Sequence, residues 1–303
     1  MEELFPGFEE RRVETFGAEI NLRVGGSGPP LVLLHGYPQT HACWHGVAAR
    51  LADRFTLVLP DLRGYGKSSC PTNDPDNFTY SKRAMAQDIL QVMHKLGFER
   101  FGVVGHDRGA RVAYRLALDE PAAISGLAVL DIVPTLETWE SMKGAGAAAM
   151  GAYHWLFLAQ PFPLPEMLIE QRATEFLDYT LASWSGTKDL SPFNAVALAS
   201  YRLAFSIPPH IHATCCDYRA GQTYDLEADK VDRAAGRKVQ CPVVSLWGNK
   251  GFAAEGGTPV DVWRQWADDV EGFPLPCGHF LPEERSDDVA DHLLAFFQAD
   301  ETA

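Results

Sequence analysis

Short, almost wholly apolar runs alternate with stretches of helical periodicity through the first 130 residues, and this alternation limits the fold more than any other feature of the chain. Leu31-Val32-Leu33-Leu34, Leu57-Val58-Leu59, Phe101-Gly102-Val103-Val104 and Gly126-Leu127-Ala128-Val129-Leu130 read as strands buried on both faces. Between them Trp44, Val47, Ala48 and Leu51 recur at helical spacing. Met85, Ile89, Val92, Met93 and Leu96 mark one face of a helix that Ser81 caps and Gly97 stops. Another helix is expected over 108–119, ahead of Pro121. Such alternation predicts an α/β fold with an open, mostly parallel sheet and helices on both faces. After Pro134 the strand pattern stops. Residues 135–236 are helical in period and aromatic, carrying Trp139, Tyr153, Trp155, Trp184 and Tyr201, and a strand pattern returns only at Pro242-Val243-Val244-Ser245-Leu246-Trp247. The expected organisation is a core of 1–134 and 237–303 with an inserted helical cap, 135–236.

The chemistry is expected at Gly105-His106-Asp107-Arg108-Gly109, which follows one strand and opens the next helix. Glycines on either side of a central residue permit the sharp turn that exposes its side chain above a sheet. Here the central residue is Asp107, so serine-type ester hydrolysis is excluded. A carboxylate can attack an sp3 carbon that bears a leaving group, and water must then open the resulting ester. That second step needs a base, and His279 lies in Pro276-Cys277-Gly278-His279-Phe280, between the last strand and the last helix. The stretch after the seventh strand, Trp247-Gly248-Asn249-Lys250-Gly251, has no carboxylate to orient the histidine. Asp131 does supply one, at the carboxyl end of Leu127–Leu130, where ligands collect in sheets of this kind. Nucleophile, acid and histidine then run in the order Asp107, Asp131, His279. The backbone amides of Tyr37, in His35-Gly36-Tyr37-Pro38, and of Arg108 are the expected oxyanion donors, each worth about 2.7–4 kcal/mol in acyl-transfer enzymes. Taken singly these residues read equally well as a turn Asp or a core His; order and context together carry the assignment.

With those motifs in view, the whole chain resembles the haloacetate (fluoroacetate) dehalogenases of the α/β-hydrolase fold. His35-Gly36-Tyr37-Pro38-Gln39-Thr40 and Asp61-Leu62-Arg63-Gly64-Tyr65-Gly66 are broad marks of that superfamily, whereas Gly105-His106-Asp107-Arg108-Gly109-Ala110-Arg111 is narrower. Haloalkane dehalogenases and many epoxide hydrolases generally carry Trp directly after the nucleophile, where this chain has Arg108. The resemblance implies hydrolytic removal of halide from a small anionic haloacid. It further implies that Arg108 and Arg111 hold the substrate carboxylate, that His154, Trp155 and Tyr218 take the halide, and that the chain forms a homodimer through the cap. Without the resemblance, His154, Trp155 and Tyr218 would read as ordinary packed aromatics. The arginines carry an argument of their own. Cations in the first turn of a helix cost about 0.3–1 kcal/mol, a cost that an anion between them would reverse. Their planar forks also suit a carboxylate. Three converging donors, an imidazole, an indole and a phenol, would solvate a leaving halide. Two rival readings remain: an epoxide hydrolase that uses Asp107 and His279 with Tyr153 and Tyr218 as acids, and a non-catalytic small-ligand receptor on the same fold.

Charge and composition remove other classes. Lys and Arg number 26 against 40 Asp and Glu, a net charge of −14, which opposes binding to nucleic acid or an anionic membrane. No apolar run approaches the roughly 18–20 residues of a membrane span. Met1-Glu2-Glu3-Leu4-Phe5-Pro6 has no signal-peptide pattern, so a cytoplasmic location is expected. The six cysteines show no framework spacing and are expected as reduced thiols. No metal or cofactor is expected. His210, His212, Cys215 and Cys216 crowd together at a spacing that fits no common zinc site, and Gly66-Lys67-Ser68 has Asp61 where a phosphate loop requires Gly.

Overall fold

The structure, a computed structural model, describes residues 4–143, 146–251 and 258–299; expectations for 1–3, 144–145, 252–257 and 300–303 lie outside the described residues. The chain runs through β1 (Glu9–Glu14), β2 (Glu19–Gly26), β3 (Pro30–Leu34), α1 (His45–Leu51), β4 (Thr56–Pro60), α2 (Lys82–Lys95), β5 (Phe101–His106), α3 (Arg108–Asp119) and β6 (Ile124–Leu130). Eight helices follow, with no strand among the described residues: α4 (Thr135–Ser141), α5 (Ala147–Gly151), α6 (Tyr153–Leu158), α7 (Leu164–Glu170), α8 (Ala173–Trp184), α9 (Ala195–Phe205), α10 (Pro208–Gln222) and α11 (Tyr224–Ala234). Then come β7 (Val243–Gly248), α12 (Pro259–Trp263), β8 (Val270–Leu275), α13 (Leu281–Glu284) and α14 (Ser286–Ala299).

The eight strands form one sheet in the order β1-β2-β4-β3-β5-β6-β7-β8, antiparallel only at β1/β2 and β2/β4. β5 and β7 are buried at every position, as their largely apolar sequences require, with His106 and Ser245 their polar members. Edge strand β1, Glu-Glu-Arg-Arg-Val-Glu, is nearly all exposed, and its charges guard the edge against further pairing. It was illegible as a strand for the same reason: it has no buried face to pattern. The expected caps hold at α2, whereas the start of α1 shifts. α2 covers 82–95, with Gly97 beyond its end at φ +89°. Trp44 belongs to a short 3₁₀ turn, His41–Trp44, because the Thr40 side chain caps that turn ahead of α1. Gly25 and Gly26 belong to β2, whose ladder to β4 continues through them.

Strands β3 to β8 run parallel, so their carboxyl ends share one edge of the sheet. Tyr37 follows β3, Asp107 follows β5, Asp131 follows β6 and His279 follows β8. Residues more than 200 positions apart are thereby delivered to one place.

Candidate active site

At the elbow between β5 and α3, Asp107 stands at φ +49° and ψ −117°, a strained conformation worth of order 1–3 kcal/mol. The flanking glycines are dictated by crowding. A β-carbon at Gly105 would stand 2.4 Å from the Cα of Ala110, and one at Gly109 would stand 2.3 Å from the carbonyl oxygens of Leu34 and His35. The elbow thus packs backbone against backbone, and the strain is held by main-chain bonds from Asp107 N to Leu130 O (3.2 Å) and from Arg111 N to Asp107 O (3.2 Å). The Tyr37 amide donates to Asp107 Oδ1 at 2.8 Å. The other expected donor, the amide of Arg108, is the first of α3 and so has no acceptor within the helix.

Asp131 also has positive φ, +56°. Its Oδ1 accepts from Gly248 N at 2.8 Å and its Oδ2 lies 2.6 Å from His279 Nδ1. The other ring nitrogen, Nε2, has no hydrogen-bond partner among the described residues and stands 3.7 Å from Asp107 Oδ2. All three side chains are buried. Burial would raise the Asp107 pKa, but His279, His106, Arg108 and Arg111 outweigh it and hold the carboxyl below its usual range. Burial would lower His279, yet the bond and charge of Asp131 and the charge of Asp107 leave it raised.

The histidine loop is fixed from several sides. His279 N donates to Trp184 O at 3.0 Å, and His106 Nε2 lies 2.7 Å from His279 O. Glu284 accepts from the amides of Gly278, Phe280 and Gly186 at 3.0, 3.0 and 2.7 Å. One carboxylate therefore joins the His279 loop to the end of α8.

Arg108 and Arg111 are both buried. They differ in company. Arg108 makes an ion pair with Asp217 of α10, through Nη2–Oδ1 at 2.5 Å and Nε–Oδ2 at 3.1 Å, and Nη2 also donates to the Asp217 carbonyl at 2.9 Å. Arg111 has only neutral acceptors: Val133 O, Thr135 Oγ1 and Thr138 Oγ1, at 3.0 to 3.2 Å. It makes no ion pair among the described residues, and burial lowers its pKa accordingly. Arg108 Nη1 and Arg111 Nε remain without partners.

His154, Trp155 and Tyr218 come together around these arginines. The Arg108 guanidinium lies 4.2 Å from the Tyr218 ring centre and 5.2 Å from that of Trp155, and Arg111 lies 4.4 Å from Trp155. Tyr218 meets both His154 and Trp155 edge-on at 5.7 and 5.6 Å, and meets Tyr37 at 5.5 Å. The Tyr218 hydroxyl and His154 Nδ1 are buried without partners among the described residues. Burial pushes His154 down to about 3, so the ring is neutral near pH 7 and carries one N–H.

Tyr37, Asp107, Arg108, Arg111, Asp131, His154, Trp155, Tyr218 and His279 are thus linked through a continuous set of contacts. Asp217, Lys82 and Trp184 were not singled out as site residues, although Trp184 packs 4.3 Å from His154 and edge-on to His279 at 5.5 Å. No group of three or more His, Cys, Asp or Glu could hold a metal among the described residues. His210 and His212 instead contact Gly64 O and Glu166. No described helix is long and apolar enough to cross a membrane.

Comparison with known proteins places these observations. A family described as alpha/beta hydrolase fold matches residues 29–286. A fluoroacetate dehalogenase from Burkholderia sp. is 44% identical over 97% of this chain and 95% of its own length. A soluble epoxide hydrolase from Corynebacterium sp. (strain C12) is 33% identical over 93% and 94%. Among solved structures, one described as an α/β hydrolase from Nostoc sp. PCC 7120 superposes with a TM-score of 0.92 at 50% identity, covering 96% of this chain and 98% of that one.

Proposed function

The chain belongs to the α/β-hydrolase fold family, and on that premise we propose that it is a hydrolytic dehalogenase of short 2-haloacids, haloacetate first. The observation that carries this reading is Arg111. A buried guanidinium with neutral partners only is costly, and an anion at its free Nε would relieve that cost. Arg108 Nη1 offers a second donor to the same carboxylate. Held there, the haloacid presents its halogen-bearing carbon to Asp107.

An Asp107 carboxylate oxygen attacks that carbon in line, the carbon–halogen bond breaks, and its electron pair leaves with the halide. His154, Trp155 and Tyr218 receive the halide through N–H and O–H donors. The carboxylate of Asp107 is now an alkyl ester. His279, oriented by Asp131, takes a proton from water, and hydroxide adds to the ester carbonyl carbon of Asp107. The amides of Tyr37 and Arg108 hold the oxyanion. Collapse breaks the bond to the carbonyl carbon, and the departing alkoxide takes the proton from His279. Collapse leaves Asp107 as a carboxylic acid that loses its proton to solvent; the net products are the 2-hydroxy acid, halide and a proton, and the regenerated Asp107 carboxylate carries one oxygen from water. Residues 135–236 act in this scheme as a cap over a core of 1–134 and 237–303. Met150, Phe162, Met167, Leu168 and Leu203, all more than half exposed on that segment, support pairing of two copies through it.

The epoxide hydrolase reading keeps one observation in its favour: Tyr218 has an uncommitted hydroxyl and Tyr153 is half-buried, with burial raising both phenols so that each stays protonated. Halide release from fluoroacetate and chloroacetate, with Asp107→Ala as control, tests the proposal. Release from both substrates, abolished in the variant, is expected. Release from neither, with turnover of a neutral epoxide that survives Arg111→Ala, would replace it with the epoxide reading.

A further inference from the structure

Asp217 presents a difficulty for the carboxylate site. It grips Arg108 with both oxygens and its own carbonyl, and an arginine so paired is close to a neutral unit with little attraction left for a second anion. The difficulty is answered on the far side of Asp217. The ammonium of Lys82, the first residue of α2, bonds to Asp217 Oδ1, and the Tyr65 hydroxyl donates to Oδ2 at 2.8 Å. Lys82 is fully buried, which is rare for a lysine. Its backbone N–H donates to Asp225 Oδ1 at 2.8 Å, and its ammonium stands 3.8 Å from Asp225 Oδ2. The charged groups in the cluster are thus Arg108, Lys82, Asp217 and Asp225, with Arg111 and Asp107 on the site side. Asp217 is shared by two cations, whereas Arg108 keeps an uncommitted Nη1.

We infer that Lys82 is a positioning residue of the carboxylate site: through Asp217 it offsets the charge that would otherwise quench Arg108, and so sets how strongly the site attracts a substrate anion. The inference rests on the haloacid reading of Arg108 and Arg111. Arg108 is oriented by an acid from the helical segment, and that acid is balanced by a lysine from the segment before β5. The two halves of the chain therefore complete the anion site together. Lys82 touches no substrate. Its effect is electrostatic and appears in anion affinity.

The test uses Lys82→Met and Lys82→Arg in the full chain, with acetate as an unreactive carboxylate probe followed by calorimetry. Lys82→Met should weaken acetate binding on the order of tenfold to a hundredfold, the scale of one hydrogen bond to a charged group. KM for haloacetate should rise by the same factor and kcat should move less. Lys82→Arg restores a cation on Asp217 and should recover most of the affinity. Thermal melting of each variant reports whether the chain is folded when its affinity is read. Acetate binding unchanged in a folded Lys82→Met protein, or weakened as much by Lys82→Arg, overturns the inference and leaves the haloacid reading standing. A wild-type protein that binds no acetate and releases no halide overturns that reading, and this inference with it.

Discussion

Asp107 and His279 are coupled by charge across 3.7 Å, and that coupling makes a measurable claim at the scale of single residues. Asp107 is among the groups that raise the His279 pKa, against the lowering effect of burial. Removing its charge must therefore lower the pKa of His279. In the proposed reaction the ester intermediate would do the same: with Asp107 alkylated its charge is gone, and His279 would become neutral, and so competent as a base, at a lower pH than in the resting protein. Asp107→Asn imitates that state. Imidazole NMR titration should place His279 above 6.5 in the wild type and lower in Asp107→Asn, while His154, held near 3, should not titrate between pH 5 and 8 in either. A His279 pKa unchanged by Asp107→Asn would sink the coupling. Asp107, Asp131 and His279 could be picked out in the sequence because each lies just beyond the carboxyl end of a strand. Asp217 could not: nothing around Cys216-Asp217-Tyr218 distinguishes it from the other acids, and only the fold carries it across 109 positions to Arg108.

Among elements, α13 has the largest task for its size. It is four residues long, yet its Glu284 holds three amides, two on either side of His279 and one at the end of α8. Replacing it with Ala leaves those amides without their charged acceptor, each a bond of about 1.5–3 kcal/mol. The chemistry at Asp107 needs no such support, because its elbow is fixed by Gly105, Gly109 and main-chain bonds. Loss of Glu284 should therefore slow ester opening more than ester formation. The expected result for Glu284→Ala is a rate about tenfold to a hundredfold lower, with a haloacetate-derived adduct on Asp107 visible by mass spectrometry of acid-quenched protein. A slower enzyme with no adduct would mean that the defect lies before the ester. Legibility followed burial here as well. β3 to β7 were read correctly because covered strands have no polar face, whereas α13 is too short for any periodicity to mark it.

For the whole molecule, the arrangement of charge beneath the surface decides how the fold responds to acid. The sequence disclosed a net charge of −14 but not where charge is absent, since a buried neutral histidine looks like any other until the fold surrounds it. His106 and His154 are each pushed down to about 3 by burial, against about 6.5 in an unfolded chain. Below pH 6.5 the unfolded chain takes up protons that these two rings refuse, so stability falls as pH drops from about 6.5 toward 3. Asp229 works in the opposite direction. Burial raises it to about 6, so the folded chain binds that proton first and gains stability between about 6 and 4. His279, raised, and Glu283 and Glu137, raised by burial, act like Asp229, whereas His35 and His45, lowered by burial, act like His106. Each of the two strongly shifted histidines spans about 3.5 pH units and so withdraws stability all the way from about pH 6.5 to about 3. Below about pH 4 the lowered carboxyl of Asp107 adds to it. The contribution of one ring is read by difference, from the change in melting temperature of the unliganded protein between pH 7.5 and pH 5. On that descent His154→Asn, which removes one of the two buried rings while keeping a polar side chain, should lose less stability than the wild type. A change identical in the two proteins would mean that His154 accepts its proton in place, and the neutral ring read at the site would fall with it.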